Sequence, residues 1–285
     1  MPENPSRGAV LVSGASTGIG RACAEHLGGL GFTIFAGVRK QSDADSLRGA
    51  GSGRTQPLML DVTESESIAA AMQTVDEASP GGLAGLVNNA GVSVGGPLEF
   101  VAIDDWRRQR EVNFIGQVAV TQAALPALRR ARGRIVNMTS IGGRLASPFL
   151  GPYNASKYAL EAVTDSLRLE LRQFGVAVAA IEPGAVATPI WEKGRASAEE
   201  AATNMPADAL KLYGAGFEAI SKFIAQGERS GVAPLEVARA VEHALTARRP
   251  KTRYVVGRDA KMRLALTRLL PTRVMDRVVV RAMGL

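Results

Sequence analysis

The sequence is poor in the residues that most often announce a chemistry. It has one cysteine, Cys23, and two histidines, His26 and His243, in 285 residues. A single thiol forbids an intramolecular disulfide and supplies no zinc ligand set. A Ser-His-Asp triad or a histidine-held metal would have to use His26 or His243, and neither has a suitable local context. No apolar run reaches the roughly 18 residues that suggest a membrane span. The opening residues 1–7 are short and polar and lack the apolar centre of a signal peptide. No internal repeat and no low-complexity linker divides the chain. These absences point to a cytoplasmic chain that borrows its chemistry from a cofactor.

What is present is ordinary in amount and uneven in place. Hydrophobic residues make up 46% and charged residues 21%, as in soluble globular proteins. The length suits one large domain or two small ones. The net charge is +7, yet from Arg248 onward 11 lysines and arginines face only Asp259 and Asp276, so this tail holds +9 and the rest of the chain −2. The basic character belongs to the C-terminal segment.

Strand-like and helix-like patterns alternate along the body. Apolar runs at 8–13, 32–38, 58–62, 83–88, 133–139 and 176–182 read as strands, with a final edge strand at 253–256. Helical patterns follow the first run to Leu27, start at Thr63 and end near Glu77, run from Asp104 to about Arg130, and fill 234–245. Short links between strands and helices predict a doubly wound, mainly parallel sheet with ligands beyond the strands' C-terminal ends. After the first strand comes Gly14-Ala15-Ser16-Thr17-Gly18-Ile19-Gly20. Glycines there let the backbone approach a pyrophosphate, and the helix N-terminus offers free N–H groups. The spacing is Gly-x-x-x-Gly-x-Gly rather than the commoner Gly-x-Gly-x-x-Gly. After the second strand, where a carboxylate would bind the ribose of NAD, stand Arg39 and Lys40. Two cations suit a 2′-phosphate, so NADP(H) is expected over NAD(H).

Tyr153 and Lys157 lie four residues apart, on one face of a helix that Gly151-Pro152 would start. An ammonium near a phenol favours the phenolate and is expected to lower the tyrosine's pKa. Such a tyrosine can act as general acid and base. Tyr-x-x-x-Lys also arises by chance in many helices, so its weight comes from its surroundings.

Those surroundings are Ser13 to Gly20, Asn88-Asn89-Ala90-Gly91, Asn113, Ser140, Tyr153-x-x-x-Lys157 and Pro183-Gly184, in that order. With them the chain resembles the short-chain dehydrogenase/reductase family over residues 8–189, and more narrowly its hydroxysteroid and retinol dehydrogenase-like members. Ser13 stands where members often have threonine. The resemblance implies one Rossmann-type domain over 1–285 with a seven-stranded sheet, and a catalytic tetrad of Asn113, Ser140, Tyr153 and Lys157. It implies that Tyr153 exchanges a proton with the carbonyl or alcohol oxygen and that Ser140 hydrogen-bonds that oxygen. Lys157 would tune Tyr153 and bind the nicotinamide ribose, and Asn113 would hold a water linking Lys157 to solvent. Gly14, Thr17, Gly18, Ile19 and Gly20 would carry the pyrophosphate turn, with Ser16 and Arg39 on the 2′-phosphate. Asp61 and Val62 would lie near the adenine, and Asn89, Ala90 and Gly91 over the cofactor. Pro183, Gly184, Val186 and Thr188 would lie on the nicotinamide side.

Residues 190–231 are read as one or two helices covering a substrate cleft, with Trp191, Tyr213, Phe217 and Phe223 suiting a bulky lipophilic ketone, aldehyde or alcohol. The alternatives are a 3-oxoacyl-carrier-protein reductase and a non-enzymatic NADP(H) sensor. The basic tail, about 260–285, mixes leucines and valines with arginines. A helix packed on the domain or on a partner subunit is the favoured reading, ahead of peripheral contact with an anionic membrane. Nucleic-acid binding is not expected, because aromatics are scarce there and no binding motif is present. A homodimer or homotetramer is expected from the family's habit of pairing two long helices.

Overall fold

On the first strand, β1 (Ala9–Val12), Val10 and Val12 face one side and Ala9 and Leu11 the other, and all four are buried. Such a strand needs cover on both faces, and the computed structural model, which describes residues 7–49, 53–189 and 207–285, supplies it. Seven strands form one sheet in the order β3-β2-β1-β4-β5-β6-β7, and every pair is parallel. They are β1, β2 (Thr33–Val38), β3 (Thr55–Met59), β4 (Leu83–Asn88), β5 (Arg134–Met138), β6 (Ala177–Pro183) and β7 (Arg253–Val256). The doubly wound Rossmann architecture is as expected.

One face is covered by α1 (Gly18–Gly29), α2 (Gln41–Gly49) and α8 (Pro234–Thr246), whose Cys23, Leu27, Leu47, Val237 and Val241 pack with Val10, Val12 and Ile34. Burial pushes the Cys23 thiol up to about 12, so it is a core residue and not a nucleophile. The other face is covered by α3 (Ser65–Ala78) and α5 (Gly116–Ala131), whose Ile68, Val75, Val120 and Leu128 pack with Leu11, Leu86 and Ile135. The order reverses between β2 and β4 on either side of β1, which opens a crevice at the strands' C-terminal ends.

Several boundaries differ from expectation. The third strand lies at Thr55–Met59, not 58–62, because its register pairs Ile34 with Thr55 and Val38 with Met59. Pro57 lies within β3, which is an edge strand and needs no N–H on its open side. Helix α2 was not expected; its one apolar side, Ala44 and Leu47, is short. The long helix from Asp104 is interrupted: α4 (Ile103–Arg110) leads into a π turn (Glu111–Ile115) and then α5. Helix α6 (Gly151–Glu170) starts at Gly151-Pro152 as expected.

In the segment expected to cover the cleft, residues 190–206 lie outside the described residues, Trp191 among them, and so does the side chain of Phe223. Beyond them one helix, α7 (Ala207–Ser230), is described. The tail forms two helices, α9 (Arg258–Leu269) and α10 (Thr272–Met283), parted at Pro271, which cannot continue α9's hydrogen bonds. Among the described residues no helix is long and apolar enough to cross a membrane.

Candidate active site

The turn after β1 is shaped for close backbone approach. Gly14 and Gly18 have φ of 65° and 58°, where a side chain is strained. A Cβ on Gly20 would strike the Gly14 carbonyl, and one on Gly14 would stand 2.8 Å from Ala90 Cα. Thr17, extended, precedes α1 and its side chain does not cap the helix, and no acid occupies the first turn. The leading N–H groups of α1 therefore face the crevice with their dipole uncompensated. Ser13 braces the turn: its hydroxyl accepts from the N–H groups of Asn89 and Ala90 at 3.0 and 3.1 Å. Asn89 donates to the carbonyls of Ser13 and Gly14 at 3.1 and 3.0 Å. The hydroxyl is all this brace requires, so serine replaces threonine here without loss of a bond.

One cleft of 1180 Å³ gathers most of the expected residues. Its walls include Gly14, Ser16, Thr17, Gly18 and Ile19 at the turn, and Arg39, Asp61 and Val62 beyond β2 and β3. They also include Asn89, Ala90, Gly91 and Asn113, and Ser140, Tyr153, Lys157, Pro183, Gly184, Val186 and Thr188. Gly20 lies just behind, buried. The volume exceeds what a drug-sized ligand needs and suits a dinucleotide with room beside it. Arg39 and Lys40 are exposed at the rim, and Asp43 from α2's first turn lines the same end. That carboxylate was not weighed at the strand end, because helix α2 was not anticipated. Asp61 Oδ1 accepts from the Thr63 N–H at 3.0 Å and hydroxyl at 2.7 Å, which fixes the loop after β3.

At the far end Ser140, Tyr153 and Lys157 converge. Ser140 follows β5, and its hydroxyl accepts from the Gly142 N–H at 3.0 Å. The Ser140 hydroxyl also acts on the Tyr153 hydroxyl and favours its charged form. The turn at Ile141–Gly143 lies flush on α6: a Cβ on Gly143 would stand 2.9 Å from the Lys157 carbonyl. Buried Lys157 donates to the Met138 carbonyl at 2.7 Å, and its Nζ lies 5.8 Å from the Tyr153 ring centre.

The electrostatics correct one expectation. Burial is the largest influence on the Tyr153 hydroxyl and pushes its pKa up, although the residue as a whole is only half-buried. The Ser140 hydroxyl pulls it partly back. The lowering expected from Lys157 does not prevail, because that ammonium is itself desolvated, its pKa brought down to about 8, and it is directed at a carbonyl. Glu161, one turn further along α6, acts the other way and favours the charged lysine.

Asn113 is wholly buried inside the π turn. Its side chain accepts from the Val92 N–H at 2.8 Å and donates to the Val92 carbonyl at 2.9 Å. Each of its polar atoms makes one bond to the backbone, which leaves a second amide hydrogen and a second lone pair of the oxygen. Two neighbours do the same work and were missed. Gln109 accepts from Val94 N–H at 2.6 Å and donates to Val92 O at 2.9 Å, and Gln117 donates to Ala90 O at 2.7 Å. Their spacing, four residues either side of Asn113, was the available signal.

The cleft's outer part is apolar. Leu145, Leu150, Phe217 and Ile220 line it. Phe149 has φ of 63°, rare for an aromatic residue, and its ring packs 6.3 Å from those of Tyr213 and Phe217. Gly216 makes room, since a Cβ there would fall on that ring. From α9, Asp259 accepts from the Ala185 N–H at 3.2 Å, and its carboxylate occupies the space a side chain on Gly184 would need. The tail thereby fixes the loop after β6.

A family model described as short chain dehydrogenase matches residues 8–199. The chain is 40% identical over 280 residues to the 17-beta-hydroxysteroid dehydrogenase type 6 of Bos taurus, covering 96% of this chain and 88% of that protein. It is 37% identical over 279 residues to retinol dehydrogenase 5 of Homo sapiens, covering 95% and 87%. Among solved structures, a short chain dehydrogenase/reductase from Burkholderia phymatum in complex with NAD is 26% identical, with a TM-score of 0.77 over 94% of this chain and 96% of that one. A short chain dehydrogenase from Burkholderia cenocepacia in complex with NADP is 25% identical, with a TM-score of 0.72 over 96% and 98%.

Proposed function

The chain belongs to the short-chain dehydrogenase family and is an oxidoreductase acting on CH–OH groups, and from that premise we propose that it interconverts a bulky lipophilic ketone or aldehyde and its alcohol, with NADP(H) preferred over NAD(H). One observation carries the reading: Ser140, Tyr153 and Lys157 stand in the same cleft as the glycine turn at the head of α1. The residues fit a dinucleotide, because the turn offers unpaired N–H groups and no side chain fills its glycine positions.

A bound nicotinamide supplies or accepts the hydride. The chain's own residues move the proton and hold the oxygen. With its pKa raised, Tyr153 rests as the neutral phenol, the form that donates a proton to a carbonyl oxygen in reduction. Ser140 donates to the same oxygen as negative charge gathers on it. Lys157, with a pKa near 8, changes charge close to working pH and so biases Tyr153 between its two forms. Asn113, Gln109 and Gln117 hold the 90–94 loop against the cofactor space.

Exposed Arg39 supports the 2′-phosphate reading. The apolar outer cleft and the steroid and retinol relatives support a lipophilic substrate of steroid, retinoid or fatty type. The reading includes one Rossmann-type domain, a cytoplasmic place of action, and a homodimer or homotetramer through the long helices, where Ile115 and Leu169 expose apolar surface.

The test is oxidation of NADPH and NADH, in parallel, against steroid, retinoid and fatty carbonyls. NADPH should outperform NADH, and Arg39→Glu should reverse that order. Tyr153→Phe should cut turnover by roughly 100- to 10,000-fold, as loss of a general acid does, with NADPH affinity intact. Full turnover in Tyr153→Phe refutes the mechanism. NADPH binding without turnover on any carbonyl favours a sensor, and faster reduction of carrier-protein thioesters favours the 3-oxoacyl reductase.

A further inference from the structure

The outward face of the two tail helices is basic and apolar at once, and nothing among the described residues covers it. Helix α10 turns Met275, Val279 and Met283 inward; Val279 and Met283 pack with Ile220, Phe149 and Leu150. That part of the favoured expectation holds: the helix packs on the domain. A second stripe lies about a quarter turn away. Val274 and Val278 fall on it one turn apart and are 38% and 37% exposed; Leu285, past the helix end, is 43% exposed. Beside it stand Arg273, Arg277 and Arg281, all exposed. Helix α9 adds Met262 and Leu269, 61% and 78% exposed, and the exposed Lys261 and Arg268.

Single exposed apolar residues are commonplace, and a solvated helix carries cations without difficulty. Here the two are interleaved, and the cations are unpaired. Among the described residues none of these five forms an ion pair with a carboxylate. Of the two acids on these helices, Asp259 is engaged with the Ala185 N–H and only Asp276 is exposed.

Three occupants can be weighed. A second copy meeting this face about a two-fold axis would set the arginines against themselves, a like-charge contact. A nucleic acid would use the cations and leave the valines and leucines in water, with no aromatic side chain there to stack on bases. An anionic lipid surface answers both: phosphates at its boundary meet the arginines, and the acyl layer beneath takes the apolar stripe. We propose that α9 and α10 dock this protein peripherally on an anionic lipid surface. Ala282 lines the cleft from the same helix, so the cleft mouth opens beside the docked face. Entry of a lipophilic substrate from the lipid then follows, a consequence that rests on the oxidoreductase reading; the docking does not.

The experiment is co-sedimentation of the full chain with vesicles of phosphatidylcholine alone and of phosphatidylcholine mixed equally with phosphatidylglycerol. The chain should pellet with the mixed vesicles only, and high salt should release it. Replacing Arg273, Arg277 and Arg281 together by Glu should lower partitioning on the order of a hundredfold or more, from the usual contribution of each near-surface cation. Leu269→Ser with Val278→Ser should lower it with the charge unchanged. Turnover on a water-soluble carbonyl should be the same in every variant, which also shows that each is folded. Equal binding to both vesicles, no binding, or full binding by the charge variant overturns the proposal. So does binding to duplex DNA, or a concentration-dependent dimer abolished by the charge variant, without vesicle binding. Docking without turnover on any carbonyl sinks the enzyme reading alone, and turnover without docking sinks this one alone.

Discussion

Lys157 is where environment most strongly opposes the form a residue takes in water. Burial lowers its pKa from 10.5 to about 8, and an unfolded chain returns it to the higher value. Between those values the unfolded state binds the extra proton, so this group's contribution to stability rises with pH across the window. Below about pH 8 both states are protonated and the folded chain bears the cost of a buried ammonium, on the order of 3 kcal/mol at 1.36 kcal/mol per unit. The native protein should therefore gain stability relative to Lys157→Met as pH rises from about 8 toward 10.5, read from urea unfolding of both. A gap independent of pH would show that the amine is not desolvated. At this scale Tyr153, Lys157 and Ser140 were legible because their chemistry needs fixed residue types at fixed spacing. Gln109 and Gln117 were not, since a polar residue within a helix ordinarily reads as solvent-facing. Their burial depends on the backbone of the 90–94 loop, which no local pattern encodes. The pKa of Tyr153 was misjudged for a related reason: helical spacing gives the distance to the ammonium but not the desolvation of the phenol.

Elements are held near the site by a partly buried ionic cluster that no single segment foretells. Arg253 on β7 meets Glu161 of α6 at 3.0 Å, Asp165 of α6 at 2.7 Å and Glu182 of β6 at 3.1 Å. Arg144, just past the Ser140 turn, meets Glu182 at 3.0 Å from the other side. Glu182 is 1% exposed, and burial, with Glu161 nearby, pushes its pKa up. The cluster ties together the turn that carries Ser140, the helix that carries Lys157, and the strand that leads to Pro183. Arg253→Met should cost about 1–3 kcal/mol in urea unfolding, between the loss of a surface pair and that of a fully buried one. The deficit should shrink as pH falls and the stranded carboxylates take up protons. A loss under about 1 kcal/mol would mean the cluster is worth no more than a surface pair. Strand β7 itself was legible from a short apolar run, and α6 from its Gly-Pro start. Strand β3 was placed late because the apolar run at 58–62 begins inside it, whereas Thr55, Gln56 and Pro57 show no apolar pattern and belong to it only by pairing with Ile34, Phe35 and Ala36. Helix α2 has too few apolar residues to show a period, and packing against α1 and β3, not propensity, makes it a helix.

At the scale of the whole molecule, the two tail helices form part of the cleft wall. The tail's leucines, valines and arginines fit a packed helix and a membrane-facing helix equally well as sequence, because both need one apolar stripe. Only the placement of α7 decides which stripe turns inward. Met275 and Met283 are 6% and 7% exposed, and burying a methionine contributes about 1.5–3 kcal/mol. Removing the chain after Leu270 deletes both, together with Ala282, and bares Ile220, Leu150 and the strained Phe149 at the cleft wall. Asp259 and its hold on the loop after β6 remain. The truncated protein should be less stable by roughly 3–5 kcal/mol as an upper bound, since the unfolded chain already hides some apolar surface. For a bulky lipophilic carbonyl KM should rise at least about tenfold, because apolar contact area is lost where such a substrate would lie. For a small water-soluble carbonyl kcat/KM should hardly change, because Ser140, Tyr153 and Lys157 rest on β5 and α6, which the deletion leaves intact. Equal losses on both substrates would place α10 in the support of the catalytic groups and not in the wall of the substrate cleft.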